Sequence, residues 1–466
     1  MYTFSAGCVI MCAETIKDTA GGGKMGNFIR RLSSSQIIIL GFAAAILLGC
    51  LLLMLPFATV DGQGAPFSDA LFTATSAVCV TGLVVHDTAT YWSLFGKLVL
   101  ITLIQIGGMG VITIAVALYS ISGKRVSLKQ RSTMVESISG QRLEGIVGLT
   151  GFIVKMTVAF ELLGALLLSP VFIQRFGPVR GICYSLFHSI SAFCNAGFDL
   201  MGINGEYSSL TAFASQPWVN VVLMALIITG GIGFLVWDDV RANKLHFKRY
   251  QLQSKVAIVT SALLIALPAI YFFFFEYGGA PLGTRLLTSL FQSVTARTAG
   301  FNSTDLTLFS QSGIFLMIML MLVGGSPGST AGGMKTTTLA VLLANALCVF
   351  RHRDHARFFG RRVPEETVRS AATILTMYIC LFVLGAMVIS RVEALPLLTC
   401  LFETASAVGT VGLTLGITPQ LGLVSRCILI LLMYFGRVGG LTLIFATVSG
   451  NQSNTARLPQ EKLTVG

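Results

Sequence analysis

Four stretches of this 466-residue chain end alike, and the chemistry each offers is that of backbone carbonyl groups rather than side chains. They read LFTATSAVCVTGL at Leu71–Leu83, LFHSISAFCNAGF at Leu186–Phe198, LFQSVTARTAGF at Leu290–Phe301 and LFETASAVGTVGL at Leu401–Leu413. Each opens Leu-Phe, carries Ser or Thr and Ala in its middle, and closes on Gly followed by a bulky apolar residue; the third is one residue shorter. The residues that lead into each last glycine are Val78, Cys79, Val80 and Thr81 before Gly82, and Phe193, Cys194, Asn195 and Ala196 before Gly197. In the later copies they are Arg297, Thr298 and Ala299 before Gly300, and Val408, Gly409, Thr410 and Val411 before Gly412. None is a carboxylate. A ring of Asp or Glu would suit divalent ions or an unselective path. Carbonyls that replace a hydration shell suit a weakly hydrated monovalent cation, potassium before sodium.

Other chemistries find no support in the spacing. There is no His-Glu-x-x-His, no paired aspartates and no Ser/His constellation, so an enzyme is not expected. Most of the ten cysteines lie in or beside apolar runs, where Cys behaves as a small hydrophobe. Cys8 and Cys12 have no His or Cys neighbours to complete a metal site. The stretch Gly328–Thr336 places Met334 before its lysine and fails the phosphate-loop pattern. No G-x-G-x-x-G follows a strand, so no nucleotide or other cofactor is expected on this chain.

The elements that must position the four motifs are apolar. Hydrophobic residues make up 54% of the chain and charged residues 11%, with mean hydropathy +0.80. That is about half the charge of a water-exposed domain, so lipid supplies the missing solvent. Runs such as Ile37–Leu55, Val221–Val236, Ala257–Phe275, Ile314–Val323 and Ala371–Ile389 are span candidates. A net charge of +12 could suggest nucleic acid, but Lys and Arg cluster beside the spans. The clusters are Arg30/Arg31, Lys124/Arg125/Lys129/Arg131, Arg241/Lys244/Lys248/Arg249 and Arg351/Arg353/Arg357/Arg361/Arg362. Short basic loops beside spans are retained in the cytoplasm.

Each motif is preceded by one apolar run and followed by a second. The second carries a glycine pair, Gly107/Gly108, Gly230/Gly231 and Gly324/Gly325, with Gly436–Gly440 in the fourth copy. The spacing predicts an all-α polytopic membrane protein of four tandem span–pore-helix–span repeats around a central pore. Eight transmembrane helices and four re-entrant half-helices are expected. The repeats fall at 36–123, 124–240, 241–350 and 351–450, between cytoplasmic tails at 1–35 and 451–466. Ser68 or Asp69 can cap the first half-helix. Half-helices entering from outside aim their partly negative carboxyl ends at the membrane centre, which favours a cation there. Four copies in one orientation also argue against a carrier of two inverted halves.

Two features stand apart. Residues 324–336 crowd five glycines and Pro327 into a predicted helix: Gly324, Gly325, Ser326, Pro327, Gly328, Ser329, Thr330, Ala331, Gly332, Gly333 and then Lys335. Continuous helix is costly there, and the stretch reads as a gate loop beneath the filter, with a plain kink as the alternative. Arg437, mid-span, must face protein or water. It could tie backbone carbonyls, those of the gate loop included, or set an electrostatic barrier in the pore. Arg297, His188 and Glu403 read as structural, and Gln105 as a candidate lining of an inner cavity.

The four motifs, the glycine pairs and GGSPGSTAGGMKT at Gly324–Thr336 resemble the Ktr/Trk/HKT superfamily of potassium transporters, over about Ser34–Gly450. Within it the chain is most similar to the KtrB-type membrane subunits of bacterial Ktr systems. The resemblance implies potassium uptake across the plasma membrane, with Gly82, Gly197, Gly300 and Gly412 as the filter glycines and an intramembrane gate. It also implies a homodimer on a cytosolic nucleotide-binding ring, KtrA- or KtrC-like, and stimulation by or coupling to sodium. Asn195-Ala196 and Thr298-Ala299 depart from the Thr-Val-Gly-Tyr-Gly form of potassium channels, which implies fewer potassium sites and looser selectivity.

Overall fold

The computed structural model describes residues 32–121, 126–137, 145–244, 246–440 and 442. Apolar runs with few breakers leave helix as the structure that satisfies their backbone in lipid, and the elements follow the repeat. The first unit holds α1 (Ser34–Leu53), a short α2 (Phe67–Val78), α3 (Leu94–Met109) and α4 (Val111–Ile121). After α5 (Leu128–Ser137), the second holds α6 (Ile146–Phe176), α7 (Pro178–Phe193), α8 (Pro217–Gly231) and α9 (Phe234–Asn243). The third holds α10 (Leu252–Tyr271), α11 (Leu282–Thr295), α12 (Gln311–Leu322) and α13 (Thr336–Phe350). A hairpin of β1 (Arg357–Phe358) and β2 (Arg361–Arg362) leads to α14 (Glu365–Glu393), α15 (Leu397–Gly409) and α16 (Leu423–Val438).

Among the described residues, α1, α6, α10 with its π turn to Glu276, and α14 are long and apolar enough to cross a membrane. Their outer faces carry exposed leucines, such as Leu40, Leu47 and Leu51 on α1 and Leu162 and Leu166 on α6. The second span of each unit is not one helix. The α3–α4 pair bends by 93° and the α8–α9 pair by 92°, so Val221–Val236 is broken rather than continuous. The hinges are Gly110 at φ +86 and Gly233 at φ +102, a region open to glycine and costly for other residues. Gly439 at φ +89 ends α16 in the same way. The loop between α12 and α13 is therefore the longest of four interruptions, not an isolated one.

The short helices all begin at proline: Pro66, Pro281 and Pro396 are N-caps and Pro178 is a first helical residue. Pro66 caps α2 without a side-chain bond, so neither Ser68 nor Asp69 does so. The phenylalanine of each motif (Phe72, Phe187, Phe291 and Phe402) is buried. These four helices form the centre, and the packing around them is cyclic. Helix α3 packs on α7, α8 on α11, α12 on α15, and α16 returns to α2. Each unit thus rests its second span on the next unit's short helix, and the fourth closes on the first.

Two basic stretches read as loops contain structure of their own. Ser127 and Gln130 cap α5 reciprocally, each side chain accepting from the other's backbone N–H at 3.3 and 2.8 Å, an arrangement that fixes helix starts. The β1–β2 hairpin turns through Phe359 and Gly360, at φ +47 and +77. Arg30, Arg31, Lys124, Arg125 and both expected tails except 32–35 lie outside the described residues.

Candidate ion path

The four short helices deliver four turns of one design. In each, a residue two before the last glycine has left-handed backbone: Val80 at φ +50, Asn195 at +57, Thr298 at +67 and Thr410 at +51. The glycines follow at +91, +69, +79 and +92. In a regular strand successive carbonyls point to opposite sides. Alternating the backbone hand turns them to the same side; the glycines adopt it at low cost, whereas Val80, Thr298 and Thr410, being β-branched, are strained there.

The turns form a closed ring. A methyl group added at Gly82 would lie 2.5 Å from the carbonyl oxygen of Ala196, and one at Gly197 would lie 2.9 Å from that of Ala299. At Gly300 it would meet the Val411 carbonyl, and at Gly412 that of Thr81. Each glycine therefore abuts the carbonyl before the next unit's glycine, in the order one, two, three, four, one. The deletion in the third motif is absorbed at the helix end. There Ala299 N donates to Thr295 O four residues back, whereas Thr81, Ala196 and Val411 reach back five.

A hydroxyl at one recurring position braces every turn. Ser76 Oγ accepts from Gly82 N and Ser406 Oγ from Gly412 N, both at 3.0 Å. Ser191 Oγ donates to Phe198 O at 2.7 Å and Thr295 Oγ1 to Phe301 O at 2.6 Å. Glu403 adds a further brace, accepting from Thr414 Oγ1 at 2.9 Å and from Thr418 Oγ1. At the matching place His188 accepts from Leu200 N at 3.3 Å. Both therefore hold the chain just beyond their turns.

On one side of the ring lies a cavity of about 220 Å³ lined by Gly82, Gly197, Gly300 and Gly412 together with Asp87 and Asp199. Burial, with the Asp87 charge nearby, pushes the Asp199 carboxyl up to about 6. On the other side lies the loop between α12 and α13. Its ends pair as Val323 with Met334, and Gly324 N donates to Met334 O at 2.8 Å. The loop is tied to the second unit by Ser326 N to Gly231 O (2.9 Å) and by Phe234 N to Gly328 O (2.7 Å), and to the fourth by Gly333 N to Gly436 O (3.1 Å). It touches the turns themselves: Thr330 Oγ1 donates to Phe193 O at 3.0 Å and accepts from Asn195 Nδ2 at 2.8 Å. Beyond it, Arg437, Lys335, Gly108 and Gly333 line a second cavity of about 190 Å³.

Residues 28–455 match the TrkH family of cation transport proteins. The chain belongs to the TrkH family. It is 42% identical over 448 residues to the potassium/sodium uptake protein NtpJ of Enterococcus hirae, covering 94% of this chain and 98% of that one. It is 38% identical over 442 residues to Ktr system potassium uptake protein B of Bacillus subtilis, covering 94% and 97%. The crystal structure of the potassium transporter TrkH from Vibrio parahaemolyticus has the same fold, with a TM-score of 0.68 at 20% identity over 88% of this chain and 85% of that one. The protein is thus a polytopic membrane protein of a cation-transporter family, not an enzyme.

In the TrkH-family chain the four predicted turns meet in one ring, and the loop touches the second turn through Thr330. Arg297 points away from the ring, donating to Ser261 Oγ at 3.1 Å. Lys335 Nζ folds back on Ala331 O at 2.8 Å. Arg437 spans units: its guanidinium donates to Thr330 O in the loop, to Gly107 O and, at 3.1 Å, to Gly108 O. Gln105 does not line the cavity beyond the loop; its amide donates to Glu161 Oε2 at 3.2 Å. Glu161, a buried acid on α6, went unremarked in the sequence because no motif surrounds it. The bracing hydroxyls were visible as recurring Ser/Thr, without a reason for them. Asp69 was misassigned as a cap: it receives Arg426 and His86, each at 2.7 Å, and so joins α2 to α16. The glycine pairs have a steric purpose. A side chain on Gly107 or Gly230 would drive into the last carbonyl of the short helix in its own unit, Val78 O or Phe193 O.

Proposed function

We propose that the protein takes up potassium across the plasma membrane along the axis of the four turns, with the carbonyls of Thr81, Ala196, Ala299 and Val411 as ion ligands. The observation that carries this reading is the closed ring in which each glycine abuts the next unit's carbonyl. Carbonyls gathered on an axis replace the water of a weakly hydrated cation. Among the described residues, the buried Oγ1 atoms of Thr81, Thr298 and Thr410 and Oδ1 of Asn195 have no protein partner, which fits a polar lining for a partly hydrated ion. The loop at 324–336 is the gate, since it is bonded to the second unit's turn through Thr330 and to the fourth unit through Gly333, and Arg437 is its latch. Relatives named as potassium and potassium/sodium uptake proteins support the substrate, and the Ktr name supports work within a multi-part system. We extend the proposal to a homodimer, cytoplasmic termini on the side of the basic clusters, and control by a separate nucleotide-binding partner.

The test is potassium flux into vesicles holding the purified protein, with sodium as the competing ion. Uptake that prefers potassium supports the reading. Equal uptake of both ions would favour a less selective, sodium-coupled permease instead. No cation flux with the regulatory partner supplied would overturn it.

A further inference from the structure

A groove of about 920 Å³ runs along the outside of the third and fourth units. Its walls are apolar, with Leu267 on α10, Leu320 on α12, Leu343 and Leu347 on α13 and Ile379 on α14. One end reaches Val323 and Met334, the paired residues at the base of the loop. The other end is lined by Arg351, Arg353, His355 and Arg357. Among the described residues none of these three arginines forms an ion pair.

The basic end is built rather than draped. Arg353 is anchored to the end of α13 by its N–H to Cys348 O at 3.0 Å and by Cys348 Sγ donating to Arg353 O at 2.9 Å. Arg357 lies on β1, and the hairpin is held against α13 and α14 by a small apolar cluster of Val341, Ala356, Val363 and Ala371 with Phe358. An apolar trough open to the bilayer and closed at one end by unpaired guanidiniums has the chemistry of a lipid with an anionic headgroup. The volume also lies in the range of binding cavities, roughly 300–1,000 Å³.

We propose that this groove binds one anionic phospholipid of the surrounding bilayer, with its phosphate on Arg351, Arg353 and Arg357 and an acyl chain against Leu343 and Met334. A second copy of this chain is the poorer occupant. Two copies related by an axis normal to the membrane would present basic residues to one another at this depth. Of the loop, the groove touches only its two base residues, Val323 and Met334, and its test does not depend on what the protein transports.

The experiment is native mass spectrometry of the full-length protein taken from bilayers of phosphatidylglycerol and phosphatidylcholine in equal amounts. One phosphatidylglycerol per chain is expected to remain bound, and phosphatidylcholine is not. Replacing Arg351, Arg353 and Arg357 with Ala together is expected to weaken retention on the order of 100-fold, since each basic side chain near an anionic headgroup contributes roughly a fivefold factor. Leu343→Trp, with all three arginines intact, is expected to expel the lipid by filling the trough. Equal retention of both lipids overturns the proposal, as does a triple variant or an L343W protein that keeps phosphatidylglycerol as wild type does. A chain-to-chain disulfide formed by Leu347→Cys and absent without it would assign the groove to a second copy instead.

Discussion

Replacing Arg437 with Met keeps the length of the side chain and removes both its charge and its donors. The guanidinium makes one bond to the loop, at Thr330 O, and two to the end of α3, at Gly107 O and Gly108 O. A hydrogen bond from a charged donor is worth about 1.5–3 kcal/mol when its partner is buried. Taking ~2 kcal/mol for the Thr330 bond alone, its loss moves the balance between seated and displaced loop by about 30-fold. If the seated loop blocks the path, flux per chain rises toward that factor, because the open form is the minor one. The assay is initial potassium uptake into vesicles at matched protein density, with thermal unfolding measured on the same samples. Arg437→Lys separates the two roles. It keeps the charge but cannot fork between Thr330 and α3, so a latch predicts raised flux for Lys as well as Met. A pure electrostatic barrier predicts near-normal flux for Lys. Unchanged or lower flux in R437M protein that unfolds at the wild-type temperature would refute the latch.

Gly82→Ala forces a side chain at φ +91 to within 2.5 Å of the Ala196 carbonyl. Strain of about 1–3 kcal/mol is expected, with a ligand displaced from the axis, and the preference for potassium over sodium should fall roughly tenfold or more in vesicle flux. An unaltered ratio would remove Gly82 from the path. Deleting Gly328–Gly332 should raise flux; an unchanged or lower rate in well-folded protein would count against a gate. Asp199 lines the cavity on the side of the ring opposite the loop, which faces outside in the proposed orientation, and its carboxyl is pushed up to about 6. It is anionic above that pH and neutral below it, so acidifying the outside from pH 7.5 to 5 should weaken the apparent affinity for the cation. Asp199→Asn should lower affinity at pH 7.5 and flatten this pH dependence, and an equally steep profile would rule the residue out.

The architecture was legible because two periodicities coincide, one of apolar runs and one of Leu-Phe motifs ending in glycine. What escaped the sequence were consequences of closure. Gly110 and Gly233 look like ordinary helix glycines until α4 and α9 are seen to turn by about a right angle. The Ser76 and Ser406 hydroxyls gain a role only when their helices place them opposite the Gly82 and Gly412 amides. Asp69 and Arg426 lie 357 positions apart and meet only because the fourth unit packs on the first. Arg437 was flagged by cost alone, as a charge in a span, and its carbonyl-tying reading matches the geometry. For Gln105 the same reasoning failed, because its partner Glu161 belongs to another unit. The α5 helix carried a readable signal in Ser127 and Gln130, hidden by the charges around it.

The ring is assembled from four turns that share a design but not a sequence. In an assembly of identical subunits, any inherited change at the ring would arrive four times, once in each quadrant. Here a change arrives as a quarter dose. One quadrant can drift while the other three hold the geometry, which is how the third can be a residue shorter and still close the circle. The same freedom lets labour be divided: the third quadrant supplies the long loop, the fourth the arginine bonded to it at Thr330, and the second the seat to which it is hydrogen-bonded.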